Sequence, residues 1–560
     1  MNSARTRRLP WLPIAAAALL LTACTGAEPG SSAPGENTAE SEAAPRLLDG
    51  LGDHHHPITT GVPRAQRYFD QGLVLTFGFN HDAAVRAFEE AARVDPECAM
   101  CSWGIALALG PNINLPMGPE AGQRAFEASR KAVRLASGAS ARERAYIEAL
   151  AARYAADPSL DRAALDLAYA EAMRTVHLAD PEDPDAATLL AEALMNLYPW
   201  DYWTSDGEPR KYTPEILSLL EAVLERQPTH VGANHYYIHA VEEFFPERAV
   251  AAADRLGDLA PDAGHLVHMP SHIFWRVGRY NDALEINRRA AAADESFFAW
   301  CRAGTFYRAA YYPHNVHFLW AAASTEGRSE IALSSARKLA ASVSDQVADF
   351  PFVEEFLAIP AFTLARFGRW DALLGEPQPA AQHRYLTGVW HYTRGLALAR
   401  TGALEAAESE WTLLREVADE EAAHQLVLAG GTATASQLLA IGDAHLEGEL
   451  AAAAGDAERA ARALTRAVSL QDGLAYMEPP PWYFPVRQAL GAVLLDADHA
   501  AEAEAVYRRD LEQYPSNGWS LYGLAESLRR QGREADSVYA EQGFRSVWAR
   551  ADVELTASRF

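Results

Sequence analysis

The sequence predicts an all-α fold, a solenoid of stacked helix hairpins, on three grounds. The chain has 560 residues, which is long for one globular core and favours either several domains or an extended array of repeats. Residues 65–96 place small and apolar residues at helical spacing, break near the middle and end in Asp-Pro, a pattern typical of two short amphipathic helices. Alternating strand patterns joined by hairpin turns do not occur in the sequence, so we expect helices throughout.

The N-terminus is predicted to be a lipoprotein signal peptide over residues 1–23. Three arginines precede an apolar run that is too short to span a bilayer. The Leu-Thr-Ala-Cys that ends at Cys24 resembles the lipobox of bacterial lipoproteins, which implies that Cys24 becomes the lipidated first residue of the mature chain. We therefore expect an extracytoplasmic protein held in the bacterial cell envelope by lipid on Cys24, with a plain signal peptide or an uncleaved anchor as alternatives. Thr25 stands where, in that family, an aspartate favours inner-membrane retention, so the outer membrane is expected if the cell has two membranes.

A flexible tether is predicted over residues 24–48, which are rich in Pro, Gly, Ser, Ala and Glu and have few large apolar side chains. No later stretch of sequence is long and apolar enough to cross a membrane, so lipid would be the only anchor. The formal charge is -26, and loss of three arginines with the signal would take it to -29. Since nucleic-acid binding needs a basic face to displace counterions, we expect no nucleic-acid partner.

The segment 65–96 resembles the tetratricopeptide repeat (TPR), a helix-turn-helix unit of about 34 residues. The matching residues are Tyr68, Gly72, Ala84, Phe88, Ala91 and Pro96. Further copies are predicted to begin near residues 230, 264, 313, 388, 441 and 484, and a looser copy follows the last. The resemblance implies a right-handed superhelical solenoid in which small residues let neighbouring helices approach closely.

The repeat frame divides the mature chain into three parts. N-terminal TPR and degenerate helical repeats are predicted over 49–229, with an irregular helical middle segment from residue 99 where the frame blurs. Histidine-rich TPR-like repeats are predicted over 230–346 and C-terminal TPR repeats over 347–560. Loops such as "YPWDYWTSDGEPRKY" and "YMEPPPWYFPVRQALG" are similar to those of a group of secreted bacterial TPR lipoproteins whose function is unassigned. That resemblance implies the fold and leaves the activity open.

Histidines concentrate in the middle repeats, where seven of the eighteen lie between residues 235 and 317. Successive residues of a helix rotate by about 100°, so several positions of a first TPR helix fall on one stripe. In TPR proteins that stripe lines the concave groove and carries the ligand contacts, which implies that residues on it face the groove. The residues on the stripe are His265, His268, His272, His314, His317 and Glu242, and His235 and His239 lie at its margin and flank.

Pro270 modifies this expectation for two of these histidines. Proline is tolerated in the first turn of a helix and disrupts a helix interior. A helix that begins near Met269 would leave His265 and His268 on the preceding loop and only His272 on the helix itself.

The histidine spacing is typical of a metal site. Neutral imidazole binds zinc, copper, iron or nickel, and His235 and His239, four residues apart on a helix, can share one ion. Glu242 adds a carboxylate, either as a further ligand or as the catalytic base of a hydrolytic site. The spacing differs from the His-Glu-x-x-His pattern of zinc peptidases, so no protease activity is inferred.

Two classes of function follow from this pattern. The first is a metal or small-ligand site, with zinc, copper or iron as the cofactor and a metal-dependent oxidoreductase or hydrolase if the protein is an enzyme. The second is a non-catalytic scaffold that binds a peptide or an envelope protein in the groove, and hydrogen-bonded structural histidines are the third alternative. The candidate metal ligands are His235, His239, His265, His268, His272, His314 and His317. The consecutive His54, His55 and His56 could add a ligand or bind metal adventitiously.

The cysteines beyond Cys24 are Cys98, Cys101 and Cys301. Cys98 and Cys101 have metal-ligand or redox spacing, but no second pair accompanies them and no histidine follows Cys101. A four-cysteine zinc site and covalent haem attachment therefore do not fit. A disulfide between Cys98 and Cys101 is favoured in an oxidising compartment.

Overall fold

The computed structural model describes residues 45–157, 160–301 and 304–560, without the side chain of Trp300. Within these ranges the chain is a stack of helix hairpins, which confirms the all-α superhelical prediction. The predicted signal peptide, the lipidation site Cys24 and the tether as far as residue 44 lie outside the described residues. The last tether residues contact the first helix, where the Leu48 N–H donates to Gln71 Oε1 at 2.9 Å.

The N-terminal part consists of helices joined by loops, including the segment in which the repeat frame blurs. Its helices are α1 (Pro63–Phe77), α2 (His81–Val94), α3 (Ala99–Ala108), α4 (Pro119–Leu135), α5 (Ala141–Ala151), α6 (Arg162–Ala179), α7 (Pro184–Leu197) and α8 (Thr213–Arg226), with a 3₁₀ turn at Ala136–Gly138. Cys98 and Cys101 form a disulfide across the first turn of α3.

The middle part carries the histidine-rich repeats. Its helices are α9 (Val231–Val241), α10 (Val250–Leu259), α11 (Gly264–His268), α12 (Pro270–Arg276), α13 (Tyr280–Trp300), α14 (Thr305–Ala309), α15 (Tyr311–Thr325) and α16 (Ser329–Val343), with a 3₁₀ turn at Pro246–Ala249. In this part α9 contacts α12, and α11 contacts α15, so the helices that carry the histidines are neighbours.

The C-terminal part continues the stack and holds the short strands. Its helices are α17 (Glu354–Leu357), α18 (Ile359–Arg366), α19 (Trp370–Leu374), α20 (Arg384–Arg400), α21 (Leu404–Ala418), α22 (Glu421–Gln425), α23 (Ala435–Ala453), α24 (Ala457–Asp472), α25 (Val486–Asp496), α26 (Ala500–Gln513), α27 (Gly518–Arg530) and α28 (Glu534–Val547), with 3₁₀ turns at Pro351–Val353 and Ala429–Gly431. The strands β1 (Val427–Leu428) and β2 (Ala433–Thr434) pair antiparallel, with Val427 opposite Thr434. None of the helices in the described ranges is long and apolar enough to cross a membrane.

Aromatic side chains seated between glycines explain how closely the hairpins stack. Phe88 of α2 lies against Gly72 of α1 and Gly104 of α3, and a Cβ added at either glycine would collide with its ring. Tyr507 of α26 lies in the same way between Gly491 and Gly523. Because only glycine leaves room for the ring, the small residues of the repeat signature set the spacing between helices.

The apolar core is divided into two clusters along the stack. The first runs from Leu51 to Phe367, and the second from Ala358 to Ala540. The C-terminal end of the chain returns to the first cluster, since Trp519 belongs to it and donates from Nε1 to the carbonyl oxygen of Ser324 at 3.2 Å. The histidine-rich helices are thus enclosed by packing from both ends of the chain.

Candidate metal centre

Six histidines from four neighbouring helices form one continuous set of rings, which we call the histidine cluster. Their ring centroids lie 4.8 Å apart for His235 and His239, 5.0 Å for His235 and His265, 5.8 Å for His265 and His268, 5.0 Å for His268 and His272, and 4.8 Å for His268 and His314. His235 and His239 belong to α9, and His265 and His268 belong to α11. His272 belongs to α12 and His314 to α15. Neighbouring repeats therefore converge as the sequence predicts for six of the seven candidate ligands.

The chain around Pro270 places these side chains differently from the prediction. α12 begins at Pro270, where the missing N–H is tolerated. His265 and His268 nevertheless lie on the short helix α11 and not on a loop, because Met269 keeps helical dihedral angles between α11 and α12. His268 and His272 thus remain one helical turn apart, on the same side of the chain.

Hydrogen bonds behind the rings fix which nitrogen faces the cluster. The Nδ1 of His235 lies 2.5 Å from the carbonyl oxygen of Phe77, which requires Nδ1 to donate. The Nδ1 of His268 lies 2.6 Å from the Asn287 Oδ1, and the orientation of that amide is set because its nitrogen donates to the carbonyl oxygen of Ala283 at 2.7 Å. A proton on Nδ1 leaves Nε2 with a free lone pair, which is how metal-binding histidines are commonly held.

In one half of the cluster, these lone pairs point at other ring nitrogens. The Nε2 of His272 lies 3.1 Å from the Nε2 of His268 and 3.5 Å from that of His314. The ligand atoms of these three residues, the second trio, all lie within 4.8 Å of one another. A proton can be shared by only one pair of these nitrogens. A single metal cation can accept a lone pair from each of the three.

The other half of the cluster contains nitrogens without partners. His235, His239 and His265, the first trio, also place their ligand atoms within 4.8 Å of one another. The Nε2 atoms of His235 and His239 and both ring nitrogens of His265 are buried and have no hydrogen-bond partner. An unsatisfied buried polar group costs about 1–3 kcal/mol, and an ion between the rings could satisfy several of these nitrogens together.

Burial keeps the imidazoles in the form that binds metal. It lowers the pKa of all six histidines of the cluster, and repulsion from neighbouring histidines lowers the pKa of five of them further, with His272 as the exception. At neutral pH they are uncharged, and a neutral ring nitrogen is the ligand that zinc, copper and iron accept.

Two buried carboxylates lie on the Nδ1 side of the rings. Glu242 places one oxygen 3.4 Å from His239 Nδ1 and the other 3.5 Å from His272 Nδ1. Glu478 lies 3.1 Å from His272 Nδ1 and also 3.6 Å from Arg276 Nε. Burial, the largest influence on each, raises the pKa of both carboxyls above the usual range. Glu242 therefore hydrogen-bonds His239 from behind, and Glu478 hydrogen-bonds His272 in the same way, a contact that sequence spacing does not reveal.

His317 belongs to neither trio. Its ring stacks on Trp320 at 5.5 Å and contacts Phe356 and Tyr483 edge-on at 5.3 and 5.0 Å. Burial lowers its pKa to about 3. The structure therefore places His317 among aromatic side chains and not among the nitrogens of the cluster.

The cluster is also more enclosed than a groove-lining stripe. His235 and His268 are 0% exposed and His265 is 3% exposed, whereas His314 is half-buried. The expectation that these histidines line an open concave groove is corrected accordingly, because rings buried between helices cannot contact an extended peptide. The half-buried His314 gives the second trio its access to solvent.

A third set of histidines surrounds Asp185 and has a different character. His54 Nε2 and His230 Nε2 lie 3.1 and 3.2 Å from one carboxylate oxygen, and His56 Nδ1 lies 2.7 Å from the other. The Nδ1 of His230 accepts from the Ala233 N–H at 3.1 Å, so its Nε2 donates to Asp185. Although this set could also hold a metal by spacing, its nitrogens already face a carboxylate. His54 and His56 thus anchor the N-terminal segment on α7 and add no ligand to the cluster.

Comparisons with known proteins give a likeness of fold only. No protein-family model matches the chain, and no curated protein matches it by sequence. Among solved structures, the chain is similar to the human IFIT1 dimer with m7Gppp-AAAA, at 11% identity and a TM-score of 0.30, over 87% of this chain and 91% of that one. It is similar to the human IFIT1 dimer with PPP-AAAA at 10% identity and a TM-score of 0.31, over 88% and 92% of the two chains. Scores of this size carry no inference about ligand or activity, and the assignment of an all-α superhelical stack rests on the helices themselves.

Proposed function

We propose that this chain binds transition-metal ions through the histidine cluster. The observation that carries the proposal is the convergence of three ring nitrogens, with His272 Nε2 at 3.1 and 3.5 Å from the Nε2 atoms of His268 and His314. The outer Nδ1 atoms of His268 and His272 lie 2.6 Å from Asn287 Oδ1 and 3.1 Å from Glu478 Oε2. A set of lone pairs turned inward and hydrogen bonds turned outward is the arrangement that a metal ion needs.

The ligand chemistry selects the class of ion. Three neutral imidazoles suit zinc, copper or iron, whereas calcium and magnesium prefer oxygen ligands. Three protein ligands also leave a coordination position for water or a substrate, as in catalytic metal sites. This favours a metal-dependent oxidoreductase or hydrolase, in which the buried Glu242 would position ligands and not act as a ligand itself.

Metal binding is tested on untagged protein with matched histidine variants. We expect the wild type, dialysed against zinc or copper and passed over a desalting column, to retain metal, and His268→Ala/His272→Ala to retain less. His317→Ala is the matched control, because it removes a buried histidine from the same region that lies in neither trio. A folded wild type that retains no zinc, copper or iron would refute the proposal.

We also propose that the metal-binding chain is a lipoprotein of the cell envelope. The support comes from the sequence alone, in the arginines, the apolar run and the Leu-Thr-Ala-Cys that ends at Cys24. Labelling with a fatty acid in the producing cell tests this point. We expect label in the wild type and none in Cys24→Ala, and equal labelling of the two would refute it.

A further inference from the structure

We infer that the histidine cluster holds two metal ions as a linked pair, one in each trio, with Glu242 as the link. This inference rests on the proposed function and adds the number of ions and their coupling. It concerns a site of two first-row transition-metal ions with three imidazole ligands each.

The arrangement of ligand atoms favours two ions over one. Metal–nitrogen bonds of about 2.0–2.1 Å require the ligands of one ion to lie within roughly 4 Å of one another. The ligand atoms of the histidine cluster fall into two groups, His235, His239 and His265 in one and His268, His272 and His314 in the other, each within 4.8 Å and so slightly wider than one ion requires. A small inward movement of the rings closes each group on its own ion.

The two trios share a helix and are immediate neighbours. α11 contributes His265 to the first trio and His268 to the second, and their rings stack with centroids 5.8 Å apart. His239 and His272, also from different trios, have centroids 6.1 Å apart. An ion in one trio therefore lies next to an ion in the other, in the same buried space.

Glu242 joins the two trios through its two oxygens. One oxygen lies 3.4 Å from the Nδ1 of His239 in the first trio, and the other lies 3.5 Å from the Nδ1 of His272 in the second. The first contact is a hydrogen bond, whereas the second oxygen is buried without a hydrogen-bond partner and lies within reach of the His272 ring. The Glu242 side chain is 1% exposed, so neither oxygen can turn toward solvent. Ordering of one trio by its ion therefore positions a ligand of the other.

Glu478 provides the internal comparison for Glu242. Its carboxylate contacts the Nδ1 of His272 at 3.1 Å. Within the part of the chain that the structure describes, no histidine of the first trio forms a hydrogen bond or ion pair with Glu478. Glu242 thus lies against a histidine of each trio, whereas Glu478 lies against a histidine of the second trio alone. Metal binding would favour the ionised form of both carboxyls, which would then offset part of the charge of two divalent cations.

Counting ions tests the pair. The chain, stripped with a chelator and then titrated with Zn²⁺, is expected to bind two ions. His235→Ala/His239→Ala and His268→Ala/His314→Ala are each expected to bind one, and His317→Ala is expected to bind two. One ion in the wild type would overturn the pair and leave the proposed function standing, whereas no ion in a folded wild type would overturn both.

Carboxylate variants test the link. Loss of a carboxylate that orients a metal-binding histidine typically weakens affinity about 10–100-fold. We expect Glu242→Gln to lower the affinity for both ions by such a factor and Glu478→Gln to lower the affinity for one ion. Circular dichroism should show that each variant is folded. A folded Glu242→Gln chain in which the affinity for only one ion falls would overturn the link.

Copper provides a spectroscopic readout of the distance between the ions. Cu²⁺ bound to His235→Ala/His239→Ala, which keeps one trio, should give the electron paramagnetic resonance spectrum of an isolated ion. With two equivalents on the wild type the spectrum should broaden or lose intensity through spin coupling. Two equivalents of bound copper that give the simple sum of isolated spectra would overturn the adjacency of the two sites.

Discussion

Replacing His265 by leucine should stabilise the metal-free chain and destabilise the metal-loaded chain. Both ring nitrogens of His265 are buried without a hydrogen-bond partner, and its side chain is 3% exposed. Leucine has a similar volume and no polar atom, so the substitution removes unsatisfied groups without opening a large cavity. If His265 were retained for structure alone, its replacement by leucine would destabilise the metal-free chain.

The expected size of the effect follows from the contacts. Two unsatisfied polar groups cost about 2–6 kcal/mol together. The ring also contacts Phe79 and Tyr311 at 5.6 and 4.8 Å, and losing two aromatic pairs costs about 1–3 kcal/mol. The net gain for the metal-free His265→Leu chain is therefore about 2 kcal/mol.

Metal should reverse this order. An ion at a free concentration 1,000 times its Kd stabilises the folded state by about 4 kcal/mol. His265→Leu loses that contribution from the first trio, which exceeds the gain of about 2 kcal/mol from removing the unsatisfied groups. The wild type should then become the more stable of the two.

Hydrogen exchange of the α9 and α11 amides, with chelator and with zinc, measures this reversal locally. A local probe is preferable because stacked repeats unfold in separate steps. Slower exchange in metal-free His265→Leu than in the metal-free wild type, with the order exchanged in zinc, is the expected result. Faster exchange in the metal-free variant would refute the reasoning about unsatisfied nitrogens.

Three further predictions concern the scaffold. Phe88→Ala should destabilise the first hairpin by about 3–5 kcal/mol, because it empties the slot between two glycines; urea denaturation followed by circular dichroism checks this, and an unchanged midpoint would contradict it. Asp185→Ala removes the hydrogen-bond partner of His56 and the carboxylate that faces His54, and it should cost about 3–5 kcal/mol. Limited proteolysis should then cut near residues 54–56 faster, and an unaltered cleavage rate would count against the anchor. Burial raises the pKa of Glu355 to about 7. The unfolded chain therefore loses this proton first, and the free energy of unfolding should fall by about 3 kcal/mol as pH rises from about 4.5 to 7. Glu355→Gln should remove that part of the pH dependence, and identical pH profiles of the two chains would exclude it.

The repeat architecture was predictable because it depends on local sequence. Phe88 and Gly72 recur at fixed spacing, and the structure shows why, since the ring fits only where the Cβ is missing. His235 and His239, and likewise His268 and His272, are four residues apart, so helical geometry alone places each pair on one side of a helix. These features need no knowledge of distant contacts.

The remaining features of the site depend on contacts that sequence spacing does not encode. Glu478 reaches His272 from 206 residues away, out of a proline-rich loop that gives no signal for a ligand-orienting carboxylate. His317 follows the spacing of the stripe, yet its ring packs against aromatic side chains. Burial of the cluster also depends on how repeats close on one another, which is why the sequence predicted an open groove.

X-ray absorption at the zinc edge of the untagged chain, loaded with two equivalents, tests the central claim most directly. The trios predict two retained ions, each with three imidazole nitrogens at about 2.0–2.1 Å and the outer-shell scattering of histidine rings. His235→Ala/His239→Ala should keep one such ion. A coordination shell of oxygens without imidazole, or a folded chain that retains no zinc, would contradict the account.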